Sequence, residues 1–501
     1  MYLPVPLFGY LCDRYGPGLP SFFSGCLFGF GYILAAFTYK SGPPQSVGGE
    51  GWPFGIMVLA FVGVGMATSC MYLSAVTTCA KNFGRGKHKG VALALPIAAF
   101  GLSGMWQSQV GSRLLCERKP DGSRGDVDVF RYFVFLGITL FVVGAIGSVV
   151  LRVVDEDEMI DEAVDELERS GLLENSELYH RVAEESGYGT LREDRRLSAE
   201  EEDEIRQQME EHKARAEEES RKKTWLLNEE TRRFLSDKTM WLLAAGFLLI
   251  AGPGDAFINN MGTIIDTLHP ASLPIELVPT TAATHVSIVA ITSTVARIVT
   301  GTLTDLLAPT SVPHQHRRGP NSLVSSLASL PPAEESPKRF EMSRMTFLIA
   351  FSLILSLGQV LLASGLIQDH GERFWWVSAT IGAGYGAVFS LVPIIISVVW
   401  GVENFGTNWG IVATVPAVGA TIWGLVYSAV YQMAAEKDLS AGAESLGALA
   451  QQKVSEDVLC HGVMCYAPTF WAMAVSVWVA SALWIWAWRG PGGWWRRGIA
   501  V

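Results

Sequence analysis

The sequence has 501 residues, of which 49% are hydrophobic, and a formal net charge of −11. The negative charge is concentrated in residues 152–238, which hold 28 of the 49 Asp and Glu residues and 15 of the 38 Lys and Arg residues. The net charge therefore describes one segment, which argues against a nucleic-acid-binding surface. A chain of this length with long apolar runs is typical of a protein that crosses a membrane many times.

Ten apolar runs are long enough to cross a membrane, because a helical span needs about 20 residues. They cover approximately residues 19–39, 54–79, 90–110, 131–151, 239–262, 282–303, 344–367, 374–399, 408–431 and 467–488. Residues 1–11 are also apolar but are too few for a complete span. The pattern predicts an all-α, polytopic membrane protein.

Two pairs of motifs divide the chain into related halves. Residues 9–13 and 301–305 both read G-x-L-x-D, and each follows an apolar run. Later in each half comes an Asn-Phe-Gly triplet, formed by Asn82, Phe83 and Gly84 and by Asn404, Phe405 and Gly406. Internal repeats in an apolar chain are typical of secondary transporters, whose substrate site lies where the repeats meet.

The two aspartates of these motifs, Asp13 and Asp305, suggest a conformational latch. We also assign to it the neighbouring residues Arg14 and Gly16 and, from the two triplets, Asn82, Phe83, Asn404, Phe405 and Gly406. A carboxylate beside a helix N-terminus interacts favourably with the helix dipole, and such a contact can hold one face of a transporter closed. Gly9 and Gly301 are expected to allow tight turns, and Arg14 is expected to pair with a carboxylate. The alternative is a solvated turn whose charge only sets topology, but the duplication favours the latch.

The repeat also predicts how many spans precede the first motif. Two spans, 239–262 and 282–303, precede the second motif, so two should precede the first. Only residues 1–11 stand there. We therefore expect two six-helix bundles in which the first span is missing and the second is truncated.

The first motif resembles the G-x-x-x-D-R-x-G signature loop of the major facilitator superfamily. The matching residues are Gly9, Asp13, Arg14 and Gly16. Residues 82–90, 100–104 and 260–264 are further similar to the nodulin-like branch, and most of all to the fungal vacuolar group called monocarboxylate transporter homologues. The resemblance covers nearly all of the apolar chain, and it implies a small-solute transporter of the vacuolar membrane.

Lys and Arg clusters in short loops set the expected orientation. Counting spans places the clusters, both motifs and the acidic segment on one side, which is therefore predicted to be cytoplasmic. The expected organisation is an N-terminal bundle at 1–151, an acidic linker at 152–238 and a C-terminal bundle at 239–490. The C-terminal bundle contains a cytoplasmic loop at 306–343, and a cytoplasmic tail follows at 491–501.

Ionisable groups inside spans are candidates for function, because their placement in hydrocarbon is costly. Asp255 directly follows the helix-interrupting triplet Gly252-Pro253-Gly254, and Asn259 and Asn260 lie about one turn later. Such an interruption frees backbone groups and is found at transporter sites. Two interpretations stay open, a substrate site and a carboxylate wetted near the outer surface.

Arg297 lies four residues before Gly301 on the same helix face. It is a candidate for binding an anionic substrate, or alternatively for pairing with an acid of the first half. Proton coupling stays open, because Ser293 stands where the monocarboxylate carriers have an Asp. Gln107 and Tyr385 are further candidates for the lining of a substrate cavity, although packing is the commoner role of such residues.

Three other features concern partners. Cys460 and Cys465 precede the last span, and their place in a non-cytoplasmic loop is compatible with a disulfide. No nucleotide-binding loop, zinc-protease motif or nucleophile elbow occurs, so neither an enzyme nor a cofactor or metal site is indicated. In the acidic linker, Glu168 with Leu172 and Leu173 resembles a dileucine signal that sorting adaptors bind, and Tyr188 to Leu191 resembles a tyrosine-based signal.

Together these observations predict a secondary transporter that moves a small solute by alternating access. An organic anion would suit Arg297, whereas a neutral solute would suit an aromatic and amide lining. The alternative from another class is a non-transporting receptor that signals through the segment 152–238.

Overall fold

The structure is a computed structural model, which describes residues 3–44, 48–118, 124–154, 227–268, 281–309, 341–446 and 460–501. Residues 1–151 and 231–501 form one compact unit, and residues 152–230 form a second. Both predicted sorting signals, and most of the loop at 306–343, lie outside the described residues.

The first half of the large unit contains five helices and a short hairpin. The helices are α1 (Val5–Tyr15), α2 (Gly18–Lys40), α3 (Phe54–Phe83), α4 (Lys89–Leu114) and α5 (Val129–Val150). The hairpin pairs β1 (Cys116–Arg118) with β2 (Arg124–Val127) in antiparallel fashion. This hairpin is the one departure from the predicted all-α fold in the described residues.

In the second half, residues 227–236 are helical, and eight helices follow in the described residues. They are α6 (Lys238–Asn259), α7 (Met261–Thr267), α8 (Ala282–Leu307), α9 (Arg344–Ala363), α10 (Phe374–Trp400), α11 (Phe405–Ala413), α12 (Val415–Leu446) and α13 (Ala467–Arg489). Two 3₁₀ turns, Gly371–Arg373 and Val463–Cys465, precede α10 and α13. Helices α11 and α12 follow one another to form one long span.

Ten helical segments of the described chain are long and apolar enough to cross a membrane, as the sequence predicts. Many large apolar side chains on their outer faces are exposed, for example Val142, Val143, Trp471 and Trp478. In a membrane protein such surfaces contact lipid. The predicted helical membrane fold is confirmed.

Glycine pairs allow close helix contacts inside each half. In the first half, Gly25 of α2 faces Gly144 of α5, and a Cβ built on Gly144 would lie 2.6 Å from the Cα of Gly25. In the second half, Gly252 of α6 faces Gly419 of α12, and a Cβ built on Gly252 would lie 2.6 Å from the carbonyl carbon of Gly419. Small residues favour association of membrane helices because they let two backbones approach.

Residues 490–501 pack back onto the end of the second half where α6 begins. Asp237 caps α6 by accepting from the backbone N–H of Thr239 (2.9 Å), and it accepts two hydrogen bonds from the guanidinium of Arg497 (2.8 and 3.2 Å). The indole of Trp494 is buried and donates to Thr239 Oγ1 (2.8 Å). The predicted tail is therefore, in this structure, part of the packed bundle.

Two helix pairs make the main contact between the halves. Helix α1 packs against α11, and α4 packs against α8. In each pair, one helix comes from each half, and the repeat motifs lie at the same end of both pairs. We call this end the latch end; it is the side that the charge pattern predicts to be cytoplasmic.

Candidate functional site

Asp13 lies in the last turn of α1 and binds the first turn of α11 in the other half. Its carboxylate accepts from the backbone N–H of Gly406 (3.2 Å) and of Thr407 (2.7 Å), and from the hydroxyl of Thr407 (2.8 Å). Lys81, at the end of α3, forms a salt bridge with the same carboxylate (3.0 Å). A negative charge is thus held against a helix N-terminus, where the helix dipole stabilises it.

Asp305 makes the corresponding contact in the opposite direction. It lies in the last turn of α8, and its two carboxylate oxygens accept from the backbone N–H groups of Gly90 (2.7 Å) and Val91 (2.8 Å). These two residues form the first turn of α4. Each half therefore contributes one aspartate and one helix N-terminus to the latch end.

The glycine four residues before each aspartate has a different role from the expected tight turn. Gly9 lies inside α1 and Gly301 inside α8. A Cβ on Gly9 would overlap the carbonyl oxygen of Gly406, and a Cβ on Gly301 would lie 2.8 Å from that of Gly90. These glycines allow the two helices of each pair to touch, and the following aspartate then reaches the partner's N-terminus. Only Gly16, with φ of 80°, lies in the turn itself.

The two Asn-Phe-Gly triplets occupy different places, although the sequence pattern aligns them. Asn404, Phe405 and Gly406 start α11, and Asn404 and Phe405 are buried. Phe83 instead ends α3 and is 53% exposed, while Asn82 is half-buried. The residues that face Asp305 are Gly90 and Val91, so Gly406 corresponds in geometry to Gly90 and not to Gly84.

Arg14 also differs from its expected role. Its Nη1 donates to the hydroxyl of Tyr10 (2.9 Å), and its guanidinium lies over the ring of Tyr15. The cation that pairs with the carboxylate of Asp13 is Lys81. Arg14 lies one residue further along α1, which turns its side chain about 100° away from the helix face of Asp13.

A cavity with a volume of about 80 Å³ lies between the halves. Each half contributes five residues to its wall. The first half supplies Val5, Ser69, Tyr72, Ile97 and Phe100, and the second half supplies Arg297, Tyr385, Phe389, Trp409 and Ala413. The wall is mainly aromatic and aliphatic, with few polar groups, as is usual for small-molecule sites.

Arg297 is the charged residue of this wall. It is buried, and its Nη1 crosses to the other half to donate to the carbonyl oxygen of Ile97 (2.9 Å). Gly101 of α4 makes room for it, since a Cβ there would overlap Nη1. Its Nε has no hydrogen-bond partner among the described residues. The alternative of a salt bridge to an acid of the first half does not occur in the described chain.

Asp255 is joined to the cavity through Tyr385. The hydroxyl of Tyr385 donates to Asp255 Oδ1, while the ring of Tyr385 lines the cavity. Gly254 faces that ring, and a Cβ on it would overlap the ring carbons. The predicted interruption at Gly252-Pro253-Gly254 does not occur, because α6 continues from Lys238 to Asn259 with Pro253 inside it. The small Gly254 instead lets the ring of Tyr385 approach the backbone of α6.

Three other sequence candidates lie away from the cavity wall. Asn259 is exposed at the end of α6, and Asn260 uses its amide to bond the carbonyl oxygen of Ala256 (2.8 Å). Gln107 is half-buried and is not part of the wall. They were candidates for the substrate site, but a position along the chain does not show which way a helix face points.

Trp409 is the main wall residue that sequence reasoning missed. It is buried in α11, and it stands in the same cavity wall as Tyr72. The sequence does contain a feature that could have indicated it, since Trp409 is a bulky aromatic residue among the small residues Gly406, Gly410 and Ala413. Outside the cavity, a disulfide joins Cys460 to Cys465 before α13.

Comparison with known proteins agrees with this architecture. The family model described as Major Facilitator Superfamily matches residues 3–424. The chain is 54% identical to a probable transporter mch1 of Neurospora crassa, over 100% of this chain and 82% of that protein. It is 56% identical to a probable transporter mch1 of Aspergillus fumigatus, over 100% of this chain and 79% of that protein.

Among solved structures, the fold is similar to that of the proton:xylose symporter XylE bound to 6-bromo-6-deoxy-D-glucose. The TM-score is 0.55 at 11% sequence identity, over 98% of this chain and 83% of that one. At this identity the likeness concerns the fold alone. With the family match over most of the chain and the two closely similar fungal relatives, these findings show that the chain belongs to the major facilitator superfamily.

Proposed function

We propose that this protein is a secondary active transporter that carries a small organic anion across the fungal vacuolar membrane by alternating access. The observation that supports it most is the cavity between the halves, to which each half contributes five wall residues. A site at the interface of two repeats can be opened to either side when the repeats rock against each other.

The polar groups of the wall favour an anion over a neutral solute. The wall contains one guanidinium, that of Arg297, and no carboxylate. Arg297 Nε is a buried donor without a hydrogen-bond partner among the described residues. Unpaired buried donors are costly, so a ligand that supplies acceptors and a negative charge would be stabilised. The apolar remainder of the wall would surround the body of a small monocarboxylate.

The two aspartate contacts at the latch end are the contacts that would break and form as the protein changes the side to which its cavity opens. With Asp13 and Asp305 both seated, the halves are held together at this end. Rocking of one half against the other would separate both contacts, because each joins α1 or α8 to a helix of the opposite half. The latch residues therefore bias which side the cavity faces.

The test is a counterflow screen in proteoliposomes that contain the full chain. Small organic acids, sugars and amino acids are offered as competitors against each preloaded solute. We expect counterflow with organic acids and none with sugars or amino acids. Counterflow of sugars alone would contradict the anion site. Absence of flux for every class, in protein that is folded, would favour the receptor that signals through residues 152–238.

The vacuolar address is supported by the resemblance to the fungal vacuolar group and by the dileucine-like sequence at Leu172 and Leu173. Both lines of support come from sequence.

A further inference from the structure

The two helices that receive the latch aspartates begin without a cap from their own N-cap residues. The N-cap residue is His88 in α4 and Asn404 in α11, and neither side chain accepts a hydrogen bond from the first turn of its helix. Their backbones are nearly identical, with ψ of 26° and 29°, whereas a capping residue is usually extended. The N–H groups of these first turns are bound instead by Asp305 and Asp13 of the opposite half.

The two N-cap residues differ in what they can do when the aspartate leaves. Asn is among the best N-cap residues, because its side-chain oxygen accepts from the second or third backbone N–H of the helix, whereas His is not among the preferred residues. In α11 these two N–H groups belong to Gly406 and Thr407, the same groups that Asp13 occupies. Asn404 and Asp13 are therefore alternative acceptors for one pair of donors.

The side chain of Asn404 is held by a residue outside α11. Its Nδ2 donates to Thr231 Oγ1 (2.7 Å), and with a longer distance to Asn408 Oδ1 (3.4 Å). Thr231 is the first residue of the large unit after the chain leaves the smaller unit. Nearby, Phe234 is buried and packs edge-on against Trp400, with 5.0 Å between the ring centroids. This packing fixes Thr231 beside the start of α11.

We infer that Asn404 is a substitute cap that replaces Asp13 when the latch opens, and that Thr231 restrains it while the latch is closed. This inference rests on the proposed function, since it takes the contact of Asp13 as one that breaks during transport. On opening, the backbone of Asn404 turns to the extended conformation, and its Oδ1 accepts from Gly406 or Thr407. The open state then keeps a capped helix, so the departure of Asp13 is less costly.

The restraint connects the latch to the segment between the halves. Loss of the hydrogen bond from Asn404 to Thr231 releases the amide, which makes the open state easier to reach. A change that displaces Thr231 therefore loosens the latch without touching Asp13 or the cavity. The second latch contact lacks this device, because His88 stands at the N-cap position of α4.

The test measures the open fraction at the latch end by pulsed EPR, on the purified full chain in nanodiscs. Spin labels are attached to Lys87→Cys in the first half and Lys238→Cys in the second, both at exposed positions. The ratio of the long-distance to the short-distance population gives the ratio of open to closed protein. The partly exposed free cysteines are replaced by serine in this background, namely Cys26, Cys79 and Cys116.

The variants separate the hydroxyl of Thr231 from the bulk of its side chain. Thr231→Val keeps the branched shape and removes the acceptor for Asn404, whereas Thr231→Ser keeps the hydroxyl. Asn404→Ala removes the substitute cap. Ser236→Ala is the matched control, because this exposed hydroxyl donates to the carbonyl oxygen of Arg232 in its own helical segment (2.8 Å).

We expect Thr231→Val to raise the ratio of open to closed protein about fivefold, the effect of losing one ordinary hydrogen bond from the closed state. Thr231→Ser and Ser236→Ala should leave the ratio unchanged. Adding Asn404→Ala to Thr231→Val should lower the ratio again by about fivefold, because the open state then loses its cap. A purely structural role of Thr231 predicts the opposite, a double variant at least as open as the single one.

A second measurement does not depend on the folding of the Thr231 variants. Asp13→Ala removes the acceptor that the first half supplies to α11. In this background, hydrogen exchange of the amides of Gly406 and Thr407 is followed by mass spectrometry, with and without Asn404→Ala. Exchange should be about fivefold faster when the substitute cap is absent.

The inference is overturned if Asn404→Ala leaves this exchange unchanged, or if it fails to lower the open fraction of Thr231→Val. Failure of the latch itself is seen separately. An unchanged ratio of open to closed protein in Asp13→Ala would remove both the latch and the substitute cap. A raised ratio in Asp13→Ala, together with no effect of Thr231→Val, would keep the latch and remove only the restraint by Thr231.

Discussion

Asp13 and Asp305 make the same contact in opposite directions across the interface of the two halves. Each carboxylate lies in the last turn of its helix and accepts two backbone N–H groups from the first turn of a helix in the other half, at 2.7 to 3.2 Å. Because one aspartate comes from each half, neither half can leave the other at the latch end without losing both contacts.

The first prediction concerns the charge of these contacts. Asp13→Asn and Asp305→Asn each keep one acceptor oxygen but lose the charge that strengthens the hydrogen bonds. Charged hydrogen bonds contribute about 1.5–3 kcal/mol, so each change should shift the balance between the two facing states by about tenfold. The measurement is the labelling rate of single cysteines introduced on each face. Asp369→Asn, at an exposed position, is the control.

The expected result is faster labelling at the latch end in both variants, with little loss of folded protein. Unchanged accessibility of both faces in Asp13→Asn and Asp305→Asn would show that these residues do not act as a latch.

The second prediction concerns the glycines that allow the contacts. Gly9→Ala and Gly301→Ala place a methyl group against the backbone of the partner helix, so the halves can no longer meet closely at the latch end. We expect the same direction of change in cysteine labelling as with the aspartate variants. Gly104→Ala in α4 is the matched control, because a Cβ there meets no atom within 4 Å. If the control shifts labelling as much as Gly9→Ala, helix propensity and not close approach explains the effect.

The sequence predicted this interface only in part. Repeated G-x-L-x-D motifs identified both aspartates, because a charged residue beside an apolar run is conspicuous. The partners were harder to find, since backbone N–H groups leave no mark in a sequence. The Asn-Phe-Gly triplets therefore indicated Gly406, which donates to Asp13, but in the first half they indicated Asn82 and Phe83, whereas the donors to Asp305 are Gly90 and Val91.

The residues of the cavity wall were likewise predicted only in part. Arg297, Asp255 and Tyr385 could be selected because polar groups inside spans are rare. Asn259 and Gln107 met the same criterion, yet they face away, since the facing of a helix depends on its packing partners. Trp409 was missed because aromatic residues are common in these spans, so its position among small residues did not distinguish it.

The third prediction concerns substrate binding by Arg297. Arg297→Gln should abolish anion counterflow, since the cavity wall then has no charge. Arg297→Lys should retain a part, because the charge survives but the planar guanidinium that also reaches Ile97 does not. Counterflow in proteoliposomes is the measurement, and thermal unfolding of the purified variants serves as the control for folding. Equal loss of folded protein in both variants would instead indicate that Arg297 holds α8 to α4.

The fourth prediction concerns the packed residues 490–501. Burial raises the pKa of Asp237, but hydrogen bonds from Arg497 and Thr239 outweigh this effect and hold the pKa below its usual 3.8. A depressed carboxyl pKa stabilises the folded state above the unfolded pKa, and this contribution is lost as pH falls through the folded pKa. Asp237→Asn should therefore lower the Tm at neutral pH.

The same linkage gives the pH dependence. The difference in Tm between the parent and Asp237→Asn should be constant near neutral pH and shrink as pH falls below 3.8. Arg497→Gln should produce a similar loss at neutral pH. A difference in Tm that grows on acidification would contradict the assigned direction of the pKa shift.

The fifth prediction concerns the membrane to which the protein is sorted. Leu172 and Leu173, with Glu168 four residues before them, resemble the dileucine signal that sorting adaptors bind as an extended peptide. The segment 152–238 is rich in charge and poor in aromatic residues, a composition that leaves such a peptide accessible. If the signal directs the chain to the vacuole, then Leu172→Ala with Leu173→Ala should move a tagged full-length protein to the plasma membrane.

Fluorescence imaging beside the parent is the measurement. Leu191→Ala provides the matched control, since it alters the tyrosine-based signal at Tyr188 and leaves the dileucine sequence intact. Relocation in the double variant alone would assign the address to Leu172 and Leu173, and relocation in Leu191→Ala alone would assign it to the tyrosine-based signal. A parent on the vacuolar membrane, with the double variant still beside it there, would show that this leucine pair does not set the address.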